Sequence, residues 1–218
     1  MEKITQDLLQ KTIQFVQKEL QGNESGHDWF HIERVWKLSK TISKQESVNL
    51  MVVELGALLH DITDSKFHDG NEEIGPRKAE EFLLSAHVSR EIIDQVIFII
   101  KNISFKGGGY NPNTSPELKV VQDADRLDAI GAIGIARTFN YGGFKNNEIY
   151  NPNRPPNLNK TVEEYKKGND TTINHFYEKL LLLKDKMNTP TGLMMAEKRH
   201  AFMQQYLNQF YGEWNGDL

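Results

Sequence analysis

Apolar residues recur at helical spacing along almost the whole of this 218-residue chain, and no other feature constrains its fold as strongly. Ile13, Val16 and Leu20, for example, stand three or four residues apart, and Gly22 follows as a typical helix stop. Such a period buries one face of a helix, whereas a half-buried strand alternates. The pattern predicts helices at about 4–20, 28–44, 47–61, 72–86, 89–103, 117–139, 170–187 and 190–214.

These segments predict an all-α fold, a single-domain helical bundle over residues 1–218. A chain of this length supports one sizeable core and is short for two independent domains. The segment at 89–103 is apolar almost all round, which predicts burial. Residues of about 140–159 are rich in Gly, Pro and Asn and form a predicted loop that is long for a compact domain. Three aromatic residues and an arginine lie in this loop: Tyr141, Phe144, Tyr150 and Arg154. They suit nucleobase stacking and phosphate contact. Alternatively, the aromatic rings anchor the loop by packing.

Composition excludes several function classes. Charged residues make up 26% and apolar residues 38%, and the formal charge is −4 with no basic stripe, so we expect no nucleic-acid polymer as partner. No apolar run approaches the roughly 20 residues that span a bilayer, and the N-terminus has no secretory apolar core, which predicts a cytoplasmic protein without membrane contact. The absence of cysteine excludes disulfides and thiolate metal sites. A metal ion here would need imidazole and carboxylate ligands, which suit Mn, Fe, Zn, Ni or Mg.

Three aspartates cluster in an otherwise apolar helical segment. Asp123, Asp125 and Asp128 fall within six residues, and the last two share a helical face. Aspartate is a poor helix former and is costly to bury unpaired. The cluster therefore needs a compensating cation. Arg126 is one candidate, and a metal ion is a better one because it neutralises more than one carboxylate.

Histidines precede this cluster in two places. His60-Asp61 ends an apolar helical segment, and such a pair taken alone is typical of a capped helix end. His27 and His31 stand at i and i+4, so they share a face if the helix begins early enough, although lone histidines are more often structural. Arg34 lies one turn beyond His31, where a guanidinium could bind a phosphate oxygen or form a surface ion pair.

The combination is more specific than its parts. His31, the His60-Asp61 pair and an aspartate of the later cluster supply two imidazoles and two carboxylates. This is a hard-to-borderline ligand set that leaves coordination positions open for water and substrate. We therefore interpret the three segments as a metal site with room for chemistry.

The order His, then His-Asp, then Asp, all on predicted helices, resembles the HD-domain superfamily of metal-dependent phosphohydrolases. Most of the chain is similar to small bacterial HD hydrolases of about this length, which share the runs Gly26-His27-Asp28-Trp29, Ala57-Leu58-Leu59-His60-Asp61 and Asp123-Ala124-Asp125-Arg126-Leu127-Asp128-Ala129-Ile130-Gly131-Ala132. The resemblance implies an HD-type core at about 27–139 followed by the loop and C-terminal helices at about 170–214. It also implies one divalent ion, Mn before Mg, Ni, Fe or Zn, with the ligands His31, His60, Asp61 and Asp125, and with Asp128 as the alternative fourth ligand.

The resemblance further implies that the metal activates water for hydrolysis of a nucleotide phosphoanhydride, from nucleoside triphosphate to monophosphate and pyrophosphate. Asp64 resembles an acidic residue that follows the His-Asp pair in stringent-response HD hydrolases and would orient or deprotonate water; a turn or N-cap role is equally open. His27 would support a ligand or contact the substrate. The expected phosphate-binding cations are Arg34, Lys66 and Arg126. A phosphomonoesterase or phosphodiesterase acting on another small metabolite, a non-catalytic metal- or nucleotide-binding module, and a homodimer all stay open.

Overall fold

The computed structural model describes residues 2–22, 28–63, 73–103, 114–158 and 171–218. Among these residues it has nine α-helices, one 3-10 helix and no strand, which confirms the all-α prediction. None of the described helices is both long enough and apolar enough to cross a bilayer. The helices are α1 (Glu2–Glu19), α2 (Trp29–Ser43), α3 (Leu50–Leu59), α4 (Ile74–Ser85), α5 (Arg90–Asn102), α6 (Pro116–Asp128), α7 (Gly131–Phe144), α8 (Thr172–Glu178), the 3-10 helix (Leu180–Lys186) and α9 (Pro190–Asn215).

The chain divides into two compact units, residues 1–125 and 126–218, so the prediction of one domain over 1–218 stays a prediction. In the first unit α3 contacts α1, α2 and α5, and α4 packs on α5. Every residue of α3 from Val52 to Leu59 is buried. The sequence predicts burial on all sides of the fifth helix, but α5 buries only one face, which includes Ile93 and Val96. The helix surrounded on all sides is α3, because three other helices pack against it.

A buried carboxylate joins α2 to α3. The Glu54 side chain is 6% exposed and accepts a hydrogen bond from Trp36 Nε1 at 3.1 Å. Lys40 Nζ lies 3.4 Å from the same Glu54 oxygen and 4.8 Å from the centre of the Trp36 ring. The indole N–H and the ammonium together offset the cost of burying the charge. These contacts hold together α2, which carries His31, and α3, which ends at His60.

The prediction of a single helix over 117–139 is wrong, because the structure has two helices there, α6 and α7. The chain leaves the α conformation at Ala129–Ile130 and begins α7 at Gly131. Gly131 has φ +76°, a left-handed conformation that glycine adopts without the steric penalty of a Cβ. Arg199 also packs against this position, because a Cβ on Gly131 would lie 3.0 Å from Arg199 Cγ. Apolar residues keep their helical spacing across the break, and so the sequence pattern conceals it.

In the second unit α9 contacts α7 and the 3-10 helix, and α8 contacts α7. The predicted helix over 170–187 is instead two elements, because Lys179, at φ −142° and ψ −58°, interrupts the α conformation. The predicted 140–159 loop also starts later, since α7 continues to Phe144. Thr189 caps α9 by accepting from Gly192 N at 2.9 Å, and Gly216 ends it at φ +76°. The unit is therefore built around one long helix with well-defined ends.

Candidate metal centre

His31 is placed by the first turn of α2. Asp28 is the N-cap and its side chain accepts a hydrogen bond from His31 N at 2.8 Å. This satisfies one of the backbone donors that a helix start leaves without a partner. His31 is 2% exposed and lies on the buried side of α2 with Ile32 and Val35. Asp28 is thus a structural residue of the site whose capping role the sequence reasoning missed, although an aspartate before a helical pattern is the ordinary signal for an N-cap.

His60 is the C-cap of the buried helix α3 and is 9% exposed. Its Nδ1 lies 2.8 Å from Ala57 O. Because a carbonyl oxygen only accepts, the neutral imidazole carries its proton on Nδ1 and leaves the lone pair on Nε2. A backbone bond of this kind fixes both the tautomer and the ring orientation of a ligating histidine.

His31, His60 and Asp125 converge. One potential ligand atom from each lies within 4.8 Å of the other two. His31 Nε2 is 3.6 Å from Asp125 Oδ1, and the imidazole centroids are 5.4 Å apart at an interplanar angle of 69°. A separation of 3.6 Å is long for a hydrogen bond. It is close to the roughly 3–3.5 Å between two ligand atoms that each stand about 2.1 Å from one ion. The donor set therefore fits a divalent cation.

The electrostatics of the cluster agree with this fit. Burial lowers the pKa of His60, against the opposing effect of the Asp125 and Asp61 charges, while His31 lowers it further. A lowered pKa keeps the imidazole neutral near pH 7, which is the form that binds a metal. The Asp125 side chain is 40% exposed and the His31 side chain 2%. The cluster is consequently buried on its histidine side and open to solvent at the carboxylate.

Asp61 and Arg34 lie close to this cluster in the sequence. Asp61 follows His60 directly and is half-buried, but its carboxylate is not among the three groups that converge in the described part of the chain. Its role as a ligand stays a prediction. Arg34 is half-buried in α2, one turn beyond His31, and its phosphate-binding role also stays a prediction.

The structure gives Asp128 and Arg126 other partners. Asp128 is 1% exposed, and its Oδ2 accepts from Arg137 Nη1 at 2.6 Å. Arg126 Nη1 donates to the carbonyl oxygen of Lys186. Asp128 is not in the converging group among the described residues. The sequence offers Arg126 as a cation for the aspartate cluster, but the cation that pairs with Asp128 is Arg137. Arg137 lies nine positions after Asp128 and beyond the helix break, where helical spacing does not point to it.

His27, Asp64 and Lys66 lie outside the described residues, so their proposed roles stay predictions. Two side chains of the predicted 140–159 loop have structural partners instead of open faces. Tyr150 packs edge-on against Trp214, with ring centroids 5.0 Å apart, and Arg154 pairs with Glu148. Tyr141 and Phe144 are 50% and 74% exposed. Packing thus accounts for part of this aromatic set, as the alternative interpretation expected.

Comparison with known proteins gives concordant matches. The model of the HD domain family matches residues 29–130. The chain is 40% identical over 197 residues to uncharacterized protein YpgQ of Bacillus subtilis (strain 168), covering 89% of this chain and 88% of that one. Its fold is similar to the crystal structure of an HD-superfamily hydrolase from Bacillus thuringiensis, with a TM-score of 0.78, 45% identity, and 97% and 98% of the two chains covered.

The fold is also similar to Bacillus subtilis YpgQ crystallised in complex with ADP. There the TM-score is 0.77 and the identity over the superposed chains is 36%, with 96% of each covered. The match to the family model includes His31, His60 and Asp125, and two relatives above 30% identity are matched over nearly their full length. The chain therefore belongs to the HD domain family.

Proposed function

We propose that this protein is a metal-dependent phosphohydrolase that cleaves a nucleoside triphosphate to its monophosphate and pyrophosphate. The observation that carries the proposal is the convergence of His31, His60 and Asp125 within 4.8 Å. The ADP complex of YpgQ supports a nucleotide as the ligand, and the hydrolase description of the Bacillus thuringiensis relative supports hydrolysis.

The ligands we propose are His31, His60, Asp61 and Asp125, and Mn²⁺ is the ion we expect, with Mg, Ni, Fe and Zn as alternatives. When bound, a divalent ion supplies Lewis-acid activation of water and of a phosphoryl oxygen. The chain's contribution is to hold the donors in place. His60 keeps its orientation through Ala57 O, and His31 keeps its own through burial and the capped first turn of α2.

The substrate would approach from the side of Asp125, because that carboxylate is 40% exposed and the His31 side chain is almost fully buried. Arg34 is the described residue we assign to a phosphate oxygen, since a guanidinium offers a planar pair of donors to such a group. We assign Lys66 to the phosphates as well, Asp64 to the orientation or deprotonation of water, and His27 to support of a ligand or contact with the substrate.

Hydrolysis at the α–β anhydride consumes one water and yields two products, so product analysis separates the candidate activities. Metal-free protein is supplied with Mn²⁺ and offered nucleoside triphosphates, nucleoside monophosphates, cyclic nucleotides and a generic phosphomonoester. We expect equimolar monophosphate and pyrophosphate from a triphosphate. Orthophosphate released from the monoesters would instead support a phosphomonoesterase, and opening of a cyclic nucleotide would support a phosphodiesterase.

The variants Asp125→Asn and His60→Gln should lose turnover together with bound metal. Asp94→Asn is the matched control, because Asp94 is an exposed aspartate of α5 paired with Arg90 and should retain both. If no metal supports turnover of any substrate in a protein that still binds Mn²⁺, the chain is a metal-binding module and the enzyme proposal fails.

A further inference from the structure

Arginine side chains from two later helices hold the C-terminal turn of α6. Arg137 Nη1, from α7, donates to Asp128 Oδ2 at 2.6 Å and lies 3.4 Å from Asp128 O. Arg199 Nη1, from α9, donates to Leu127 O. The last carbonyls of a helix have no partner within the helix, and cations near them are favourable. Both arginines therefore fix the backbone at the point where α6 ends.

Burial makes this arrangement costly to disturb. Asp128 is 1% exposed and the Arg137 side chain 29% exposed. Burial lowers the pKa of Arg199, and the Asp128 carboxylate raises it, so the negative charge of Asp128 serves both arginines. Removing one member of a buried pair leaves an uncompensated charge. Gly131 contributes by leaving space for the Arg199 stem, whose Cβ, Cγ and Cδ would all lie within 3.3 Å of an added Cβ.

Asp125 stands one turn before Asp128 in the same helix. Its side chain is 40% exposed, and its Oδ1 lies 3.6 Å from His31 Nε2. A carboxylate in this situation depends on its backbone for direction, because a contact of that length gives little orientation. The position of the last turn of α6 thus decides where the Asp125 carboxylate points.

We propose that Asp128 is a positioning residue: its ion pair with Arg137, together with the Arg199 bond to the Leu127 carbonyl, locks the last turn of α6 so that Asp125 can ligate the metal ion. This inference rests on the proposed function, since it takes the ion at His31, His60 and Asp125 as given. It assigns to Asp128 a part different from that of fourth ligand.

The test measures the Kd of Mn²⁺ for metal-free folded protein by calorimetry, with the number of ions bound per chain. The variants are Arg137→Gln, Asp128→Asn, their double variant and Arg137→Lys. We expect both single variants to bind the same number of ions as the unaltered protein with an affinity about 10- to 100-fold weaker, the usual effect of removing a group that supports a ligand. The double variant should bind little worse than Asp128→Asn alone, because Asp128→Asn already removes the ion pair that Arg137→Gln breaks. Arg137→Lys keeps the charge and should recover part of the affinity.

Arg90→Gln is the control, because it removes an exposed arginine that pairs with Glu80 at 2.6 Å and with Asp94, and its Kd should stay within about twofold of the unaltered value. A purely structural ion pair would lower the unfolding midpoint of the Arg137 and Asp128 variants and leave the Kd of the folded protein unchanged; that result overturns the proposal. Loss of all binding in Asp128→Asn, as in Asp125→Asn, also overturns it, because Asp128 is then a ligand.

Arg137 is partly exposed, so its variants carry the test if Asp128→Asn fails to fold. Failure of the proposed function has a different signature. If the unaltered protein binds no Mn²⁺, the metal centre and this inference both fail. If it binds Mn²⁺ but hydrolyses no nucleotide, only the proposed reaction fails, and the comparison of Kd values still decides the role of Asp128.

Discussion

Replacing Trp36 by Phe tests the hydrogen bond to Glu54 that joins α2 to α3. The change removes the indole N–H that donates to Glu54 at 3.1 Å and leaves the carboxylate with Lys40 Nζ at 3.4 Å. A hydrogen bond to a charged group contributes about 1.5–3 kcal/mol. The smaller ring also buries less area, which adds at most about 1 kcal/mol for a half-buried side chain. We therefore expect the free energy of unfolding to fall by about 1.5–4 kcal/mol.

The assay is urea unfolding of metal-free protein, with the same substitution repeated in a Glu54→Gln background. There the acceptor is neutral, the hydrogen bond is worth about 0.5–1.5 kcal/mol, and Trp36→Phe should cost about 1 kcal/mol less than in the unaltered protein. Lys37→Gln is the control in the same helix, because it breaks an exposed pair with Glu33 and should change stability by less than about 0.5 kcal/mol. Equal costs of Trp36→Phe in both backgrounds would refute the role of the Glu54 charge.

Three further predictions concern the metal and the ends of helices. Mn²⁺ at 100 times its Kd should stabilise the protein by about 2.7 kcal/mol and raise its Tm by roughly 5–11 °C, and His31→Ala should abolish the shift seen by calorimetry. In metal-free protein the His60 ring should titrate with an NMR midpoint below 6.5, because burial lowers its pKa. As the pH falls below 6.5, the unfolded chain takes up the proton before the folded chain does, so the free energy of unfolding decreases. A midpoint above 6.5 would contradict the lowered pKa of His60. Gly131→Ala should lower the free energy of unfolding by about 1–2 kcal/mol for the left-handed backbone, and further for the clash of the new Cβ with Arg199. Gly216→Ala is the control, because Gly216 also has φ +76° but has nothing within 4 Å of an added Cβ, so it should cost the backbone part alone. Equal losses of stability in chemical unfolding would show that Arg199 does not contact position 131.

Helical periodicity predicted the elements that bury a face, because spacing of three and four residues is a local property. It could not find the break at Gly131, since Ile130, Ile133 and Ile135 continue the apolar pattern while the backbone turns through a positive φ. Nor could it distinguish the α conformation from the 3-10 conformation at Leu180–Lys186, where apolar leucines suit either.

The candidate metal site could likewise be predicted only in part. The order of His31, His60 and the aspartate cluster can be read from the sequence, and the structure brings His31, His60 and Asp125 together. Helical spacing cannot decide which of Asp125 and Asp128 is the ligand, because both lie on the same face of the helix. In the folded chain Asp125 lies beside His31, whereas Asp128 pairs with Arg137, which lies beyond the helix break at Gly131.

Counting bound manganese ions tests whether His31, His60 and Asp125 hold a catalytic divalent ion. Electron paramagnetic resonance of free Mn²⁺ during titration at pH 7.5 gives the number of ions per chain, and the same samples are assayed for pyrophosphate release. We expect one ion per chain and nucleotide turnover in the unaltered protein, and neither in Asp125→Asn. An Asp125→Asn protein that binds one ion with unchanged affinity and turns over nucleotide at the original rate would contradict it.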